Sequence, residues 1–278
     1  MKKINRRSFL AAAGLTAAAL ALTACGGSAS STASSTASSA ASSEAASTSA
    51  AAELTTVEAG KLTMATNATF PPYEMTTDSG EIEGIDIDTA KAIAEKLGLE
   101  LQVDDMDFDA ALLATQSGKS DMVMAGVTVT DERQKVMDFS DTYAEGIQSI
   151  IVPNDSDIAS PDDLAGKKIG TQRGTTGYIY CSDDFGEDSV VAYDSGLTAV
   201  QALNNGQVDA VVIDNAPATE YVAANPGLKV LDTSYAEEDY AIGMAKGSAL
   251  EDAVNKALEE LKADGTLQAI VDKYINAN

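Results

Sequence analysis

From residue 61 onward, short apolar runs alternate with segments whose apolar residues recur at helical spacing. Residues 62–66 are typical of a buried strand, and Gly98 ends a predicted helix whose apolar stripe comes from Ala90, Ile93, Ala94 and Leu97. Further strands are predicted at residues 99–103, 121–125, 147–152, 168–171 and 208–213. Strands that alternate with helices usually join through crossovers, so the pattern predicts an α/β fold with parallel sheets.

The loops after two of these strands carry side chains suited to a binding site. The Pro-Pro pair at residues 71–72 ends the first strand, because proline lacks an amide donor, and it leaves Phe70 and Tyr73 on a rigid loop. Ligands of parallel α/β sheets lie at the carboxyl ends of the strands. Asn67 and Gly126 both fall at such ends.

The stretch G-V-T-V-T-D-E-R at residues 126–133 places an arginine just past a strand end. An arginine there can hold a carboxylate through two parallel hydrogen bonds. Gly126 would let a ligand approach the backbone, and Thr128 adds a hydroxyl and an amide. The alternative is that Thr128, Asp131 and Arg133 only cap a short surface helix, and the spacing alone favours neither interpretation.

Two polar features follow strands in the second half of the chain. Gly174, Thr175 and Thr176 open a predicted helix directly after a strand, and the unpaired amides of a helix N-terminus form an anion site. The Lys-Ser/Thr pair of a phosphate-binding P-loop is missing, which argues against a nucleotide. Asp214 ends a predicted strand and can accept hydrogen bonds from an ammonium group; it can also cap the helix that follows.

The first 24 residues have the order of an export signal. Basic residues precede an apolar run at 9–24 that is short and rich in alanine, which indicates a signal peptide rather than a membrane span. The sequence N-R-R-S-F-L at 5–10 fits twin-arginine export, although ordinary signals also contain paired arginines. The sequence L-T-A-C at 22–25 resembles a lipobox, which implies acylation, for example by palmitate, at Cys25. Residues 25–52, rich in Ser and Ala, predict a flexible tether.

Composition narrows the possible functions. The 278 residues include no histidine and carry a net charge of −25, which rules out histidine chemistry and argues against a nucleic-acid partner. If Cys25 is acylated, the second cysteine, Cys181, is expected to be a small buried hydrophobe. We expect no cofactor and no metal site. Carboxylates near an arginine or at helix starts should have lowered pKa values, which argues against acid–base catalysis.

Several motifs, in order along the chain, resemble one family. They are A-T-N-A-T-F-P-P-Y-E at 65–74, G-I-D-I-D at 84–88, M-D-F-D-A at 106–110 and the stretch at 126–140. The chain resembles the amino-acid-binding proteins of ABC importers, the type II periplasmic binding proteins of solute-binding family 3, across residues 61–275. The resemblance implies an α/β, two-lobed periplasmic-binding-protein-like fold, with each lobe a sheet flanked by helices and two hinge crossings between the lobes.

The same resemblance implies a role for each candidate residue. Arg133 would hold the α-carboxylate of an amino acid from one side, the helix start at 174–176 would hold it from the other, and Asp214 would accept from the α-ammonium group. The predicted ligand-binding set is Asn67, Phe70, Tyr73, Phe108, Gly126, Thr128, Arg133, Gln172, Thr175, Thr176 and Asp214.

The ligand's side chain is less well specified. By resemblance, Phe70 and Phe108 would stack on it with Tyr73 nearby; the alternative is that all three aromatic residues belong to the core. Asn67 stands where several relatives carry an acid that binds a cationic or amide side chain, and Gln172 is also neutral, which weakens the case for arginine or lysine.

Neighbouring Arg173 could favour an acidic ligand, but it is expected to point to solvent. The preferred amino acid therefore stays open between polar neutral, basic and acidic side chains.

These inferences give a complete expected organisation. Residues 1–24 are the signal peptide, 25–52 the lipidated tether, 53–143 with 243–278 the first lobe, and 144–242 the second lobe. We expect a monomeric, non-catalytic protein, lipid-anchored on the outer face of a cell membrane, in a Gram-positive cell, that delivers an amino acid to an ABC permease. The alternatives are a surface adhesin or ligand sensor with the same fold and, less favoured, a lyase-type enzyme.

Overall fold

The computed structural model describes residues 54–275. The predicted signal peptide, the predicted acylation site Cys25 and the tether at residues 25–52 lie outside the described residues. Within residues 54–275, no helix combines the length and the apolar character that crossing a bilayer requires.

The described chain alternates strands and helices, with two short 3-10 turns at Pro161–Leu164 and Glu187–Ser189. The strands are β1 (Lys61–Thr66), β2 (Thr69–Phe70), β3 (Glu74–Thr76), β4 (Ile82–Glu83), β5 (Glu100–Asp105), β6 (Met122–Val123), β7 (Met137–Phe139), β8 (Ala144–Pro153), β9 (Ile169–Gln172), β10 (Val190–Tyr193), β11 (Ala210–Asp214), β12 (Leu228–Val230), β13 (Ala236–Tyr240) and β14 (Gly243–Ala245). The helices are α1 (Ile85–Leu97), α2 (Phe108–Gln116), α3 (Asp131–Gln134), α4 (Thr176–Phe185), α5 (Gly196–Asn204), α6 (Asn215–Ala224), α7 (Glu251–Ala263) and α8 (Thr266–Tyr274).

The first sheet has the strand order β5-β1-β6-β14-β7. β1 pairs in parallel with β5 and β6, whereas β14 pairs antiparallel with β6 and β7. A small antiparallel sheet, β2-β3-β4, is built from the chain between β1 and α1.

The second sheet has the order β10-β9-β11-β8-β12, and β13 also pairs with β8. β9 is parallel to β10 and β11, but β8 is antiparallel to β11, β12 and β13. The prediction of parallel sheets was therefore wrong for β8, and β13 and β14, which also pair antiparallel, were not among the predicted strands. These strands carry the chain between the sheets without a helical crossover, so nothing requires a parallel neighbour.

Each sheet is flanked by helices and forms one lobe, which confirms the two-lobed α/β fold class. The first crossing between the sheets, residues 138–146, includes the end of β7 and the start of β8, and the second, residues 237–243, includes the end of β13 and the start of β14. We refer to the lobe with the first sheet as lobe 1 and the lobe with the second as lobe 2. The lobe boundaries predicted after residues 143 and 242 remain a proposal. They are supported by the strands on either side, because β7 and β14 belong to the first sheet and β8 and β13 to the second.

Apolar side chains bury the sheets beneath the helices. In lobe 1, Met64 and Met122 of the sheet pack with Ile93 of α1 and Leu258 of α7. In lobe 2, one cluster includes Ile151, Val211 and Leu203, and a second contains Ile150, Leu164 and Cys181. Cys181 is fully buried, as a small apolar residue would be.

One local prediction differs from the structure. The predicted strand at 121–125 is a strand only at Met122–Val123, and Gly126 turns the chain with φ 55° shortly after it. Ser160 precedes the 3-10 turn Pro161–Leu164, and its amide donates to Asp163 at 3.0 Å as in a capping box. Gly166, with φ 77°, turns the chain again shortly after that turn.

Candidate functional site

A cavity lies between the two lobes. It contains ten of the eleven residues predicted to bind the ligand, and the exception is Tyr73. The lining residues are Asn67, Phe70, Glu74, Phe108, Ala125, Gly126, Thr128 and Arg133 from lobe 1, Gln148, Gln172, Thr175, Thr176, Val212, Ile213 and Asp214 from lobe 2, and Tyr240 from the second crossing.

Arg133 is presented by the short helix α3. Thr130 caps this helix and accepts a hydrogen bond from the Arg133 amide at 3.2 Å. The guanidinium donates to the carbonyl oxygen of Thr128 at 2.8 Å and to that of Gly174, in the opposite lobe, at 3.2 Å. Arg133 is only 8% exposed, so the interpretation as a surface cap is not supported.

The guanidinium is held in an apolar and acidic environment. Its central carbon lies 5.4 Å from the centre of the Phe108 ring, within the range of a cation–π contact. Burial lowers the pKa of Arg133 from its usual value, and nearby Glu238 opposes that shift. Arg133 stays a cation at neutral pH, and within residues 54–275 no carboxylate is bonded to it, which is the state that favours an incoming anion.

Thr128 and Gln148 share one acceptor. The Thr128 hydroxyl and the Gln148 amide each donate to Glu238 Oε2 at 3.0 Å. The Thr128 hydroxyl also lies 3.5 Å from that of Thr176 across the cleft. Glu238 thus fixes a polar group from each lobe against the second crossing.

The N-terminus of α4 faces Arg133 from lobe 2. Thr175 caps the helix and accepts from the Tyr178 amide at 3.3 Å. Gly174 adopts φ 73°, and an added Cβ would lie 1.7 Å from Asp109 Oδ1 of lobe 1, so only glycine fits at this position in the closed form. The first amides of α4 have no partner within the helix and remain donors toward the cavity.

Asp214 lies where β11 ends and α6 begins. Its Oδ2 accepts from the Tyr240 hydroxyl at 2.6 Å and the Ile147 amide at 2.9 Å, and its Oδ1 accepts from the Ala216 amide at 3.1 Å. Asp214 therefore caps α6 and lines the cavity at once, as the sequence analysis allowed.

The electrostatic expectation for Asp214 was wrong. Burial raises its pKa to about 6, although the hydrogen bonds from Tyr240, Ala216 and Ile147 act in the opposite direction. We had expected a lowered pKa because the residue caps a helix. Desolvation is the larger effect at a side chain that is 2% exposed.

Asn67 and Gln172 meet across the cleft. The Gln172 amide donates to Asn67 Oδ1 at 2.9 Å, and the Thr69 hydroxyl donates to the same oxygen at 2.8 Å. Asn67 also donates to the Met106 carbonyl at 2.9 Å. The neighbouring Arg173 side chain is 55% exposed and pairs with Asp194, so it points away from the cavity as expected.

The three predicted aromatic contacts divide into two groups. Phe70 and Phe108 line the cavity. Tyr73 is 4% exposed and packs in the core, 5.8 Å from Phe70 and 5.4 Å from Tyr240 between ring centres. For Tyr73 the core alternative is therefore the better description, and its part in the site is to support the Phe70 ring.

Sequence reasoning missed several lining residues, among them Glu74, Gln148 and Tyr240. Gln148 and Ser149 interrupt the apolar run of β8, and polar residues inside a buried strand are a usable signal. Glu74 and Tyr240 carry no such signal, because their approach to the cavity depends on how β3 and the second crossing pack.

This arrangement defines a class of protein: two lobes that enclose a cavity with a buried cation and a buried carboxylate on its walls. The chain belongs to the bacterial extracellular solute-binding proteins, family 3, whose model matches residues 62–277. A probable histidine-binding protein of Neisseria gonorrhoeae is 33% identical over 280 residues, which is 98% of this chain and 96% of that protein.

Solved structures agree with this assignment. An ancestral arginine-binding protein bound to arginine has a TM-score of 0.74 and 46% identity, covering 78% of this chain and 99% of that one. A structure of an ancestral arginine-binding protein bound to glutamine has a TM-score of 0.73 and 44% identity over the same shares of each chain.

Proposed function

We propose that the protein captures a free α-amino acid between its lobes and delivers it to the permease of an ABC importer. The observation that carries this proposal is that Arg133 and Asp214, both buried, line the walls of one cavity. A zwitterion offers each of them an opposite charge, and burying both ends of a zwitterion requires such partners. Family membership and the amino-acid names of the relatives support the same conclusion.

The α-carboxylate would lie between Arg133 and the start of α4. Arg133 uses one N–H on Thr128 and one on Gly174, and a guanidinium has five, so donors remain. The amides that open α4 and the hydroxyl of Thr176 complete the ring of donors from the other lobe. Binding would therefore bring the lobes together through the ligand.

The α-ammonium group would bind Asp214. A carboxylate has about four acceptor positions. Tyr240, Ile147 and Ala216 fill three of them, which leaves one directed at a ligand. Asp214 is thus fixed in orientation before the ligand arrives, and little ordering cost remains for binding.

The ligand side chain would lie among Phe70, Phe108 and the Asn67–Gln172 pair. Arg133 is the one cationic residue among the described residues that line the cavity, and the α-carboxylate would occupy it. An acidic side chain would then lack a partner. We infer a preference for neutral polar or cationic amino acids, and the ancestral relative bound to arginine and to glutamine supports this range.

The proposal extends to the parts of the chain outside the described residues. Residues 1–24 would direct export, Cys25 would carry the lipid anchor, and residues 25–52 would let the lobes stand off the membrane. We propose a monomer at the outer face of a Gram-positive cell membrane, with the permease as its protein partner.

The test is a thermal-shift panel of all twenty amino acids against the chain from Cys25 onward, with Cys25→Ser to prevent lipidation. A ligand at a hundredfold excess over its dissociation constant adds about 2.7 kcal/mol to the free energy of unfolding. One or a few related amino acids should raise the melting temperature.

Arg133→Gln should remove that shift, and the matched Arg173→Gln should keep it, because Arg173 lies outside the cavity. A folded, ligand-free protein that responds to none of the twenty contradicts the proposal.

A further inference from the structure

Three segments of lobe 1 meet the first crossing at a buried pair of carboxyl groups. Glu74 begins β3 and Asp86 lies in the first turn of α1, and both are fully buried. Asp86 Oδ2 accepts from the Gly126 amide at 3.1 Å and from the Tyr143 hydroxyl at 2.8 Å. Gly126 belongs to the cavity wall, and Tyr143 lies in the first crossing.

The other oxygens of the pair have no donor from elsewhere. Among the described residues, neither carboxyl oxygen of Glu74 nor Oδ1 of Asp86 has a hydrogen-bond partner outside the pair, and the two side chains bond to each other. Two ionised carboxylates in contact at a buried position would be strongly unfavourable. One proton between them would remove one of the two charges and form a hydrogen bond that joins one oxygen of each group.

We propose that Glu74 stays protonated at neutral pH and donates a hydrogen bond to Asp86. Asp86 is then a positioning residue for the Gly126 turn and for the first crossing. Asp86 is the better anion of the two, because it accepts two further hydrogen bonds and lies at a helix N-terminus. Glu74 has neither advantage.

The surrounding charges agree with this assignment. Burial, and then the charge of Asp86, raise the pKa of Glu74 well above its usual value. Burial also raises the pKa of Asp86 to about 6, while Gly126, Tyr143 and Glu74 act to lower it. The other titratable groups that face the pair are Asp105 from β5, Tyr73 from the loop before β3, Tyr143 from the first crossing and Tyr221 from α6, and none is a cation.

The pair would connect the ligand-binding wall to the hinge. Gly126 packs so closely that an added Cβ would lie 2.9 Å from Phe70 and 3.2 Å from Tyr240. The Tyr143 amide donates to the Tyr240 carbonyl at 2.9 Å, so the network reaches the second crossing as well. This inference extends the proposed function but does not rest on it, because its tests use the ligand-free protein.

The first test compares Glu74→Gln with the wild-type chain by urea unfolding from pH 4.5 to 8, again from Cys25 onward with Cys25→Ser. An amide can replace the donated hydrogen bond. Above pH 4.5, Glu74 ionises in the unfolded chain but stays protonated in the folded protein. The ratio of folded to unfolded wild-type protein should therefore fall by up to tenfold per pH unit, relative to the ratio for Glu74→Gln. Glu81→Gln, which removes an exposed carboxyl from the same hairpin, should run parallel to the wild type.

The second test measures hydrogen exchange of the Gly126 amide by NMR. Asp86→Asn should speed this exchange at least tenfold, since the charged acceptor is lost, whereas Glu74→Gln should leave it within about threefold. If Asp86→Asn does not fold, Tyr143→Phe tests the same network with a smaller change, because it removes one of the two donors to Asp86 Oδ2. The Gly126 amide then no longer shares this oxygen, so its exchange should slow or stay unchanged.

Two results would overturn the proposal. One is a pH dependence of Glu74→Gln that matches the wild type, since Glu74 would then ionise in the folded state as it does in the unfolded one. The other is Gly126 exchange that does not respond to Asp86→Asn in a folded protein.

Discussion

The side-chain amide of Gln172 donates to the amide oxygen of Asn67 at 2.9 Å, and this bond joins the two lobes across the cleft. Both residues are buried, at 4% and 6% exposure. Neither carries a charge, so the bond closes the cleft without fixing the charge of the ligand side chain. The pair can therefore yield to a polar group of the ligand at modest cost, about 0.5–1.5 kcal/mol for a neutral hydrogen bond.

Asn67→Asp should convert this neutral position into one that selects cations. A buried carboxylate gains more from a guanidinium than an amide does, because charged hydrogen bonds contribute about 1.5–3 kcal/mol. We expect the ratio of L-arginine to L-glutamine affinity, measured by calorimetry, to rise about tenfold or more. Asn204→Asp, on the surface of α5, is the control. An unchanged ratio would place the ligand side chain elsewhere in the cavity.

Asp214→Asn should remove a pH-dependent loss of stability from the ligand-free protein while weakening ligand binding. The pKa of Asp214 is raised from 3.8 to about 6, so the stability associated with its protonated form is complete below 3.8 and is lost as the pH rises through 6. A shift of this size corresponds to about 3 kcal/mol at neutral pH. Asparagine can keep the helix cap and removes the buried charge, but its amide nitrogen cannot accept from the Ile147 amide as Asp214 Oδ2 does, and this loss is the same at every pH.

The effect of Asp214→Asn on the free energy of unfolding in urea should therefore be about 1–3 kcal/mol more favourable at pH 7.5 than at pH 4.5. Equal effects at both values would mean that Asp214 titrates normally in the fold.

Ligand affinity should fall as the pH drops below about 6. The α-ammonium group favours ionised Asp214 and lowers its pKa in the complex, so binding to the protonated form must release a proton. The loss should approach tenfold per pH unit in calorimetric titrations with the amino acid that gives the largest thermal shift. In Asp214→Asn the same titrations should be weak and nearly independent of pH over this range.

Gly126→Ala should damage the cavity wall beyond the cost of its backbone angle. Gly126 has φ 55° and Gly118 has φ 69°, but an added Cβ meets Phe70 at 2.9 Å in the first case and open space in the second. Gly118→Ala should lose about 1–2 kcal/mol from the unfavourable φ alone. Gly126→Ala should lose a further 1–3 kcal/mol or so from overpacking, and it should also weaken ligand binding as Phe70 shifts.

Both losses can be measured by urea unfolding, with binding followed by calorimetry. The interpretation fails if the two variants lose the same stability and bind equally well.

The sequence pattern located the residues whose roles depend on local structure. Arg133 follows a strand end, Thr175 caps a helix, and Asp214 joins a strand to a helix, and each of these is set by neighbours along the chain. Their convergence on one cavity followed because carboxyl ends of strands share an edge. The order of the family motifs then specified a two-lobed arrangement that periodicity alone did not.

Features that depend on contacts between distant segments could not be predicted in the same way. The raised pKa of Asp214 comes from its burial in the assembled fold, whereas Tyr240, which lies on another strand, donates a hydrogen bond that opposes the shift. The place of Tyr73 in the core depends on two rings that reach it from different segments. The antiparallel direction of β8 follows from its route between lobes rather than from its own residues.

The pairing of β8 with β13 has a mechanical consequence. These strands lie side by side from Ala144 opposite Tyr240 to Gln148 opposite Ala236, so the two connections form a single ribbon along one edge of the cleft. The lobes should then rotate apart with this ribbon at the hinge. Asp214 is bonded to Ile147 and Tyr240 of the ribbon, so the ammonium end of an amino acid would be the last part that an opening protein releases.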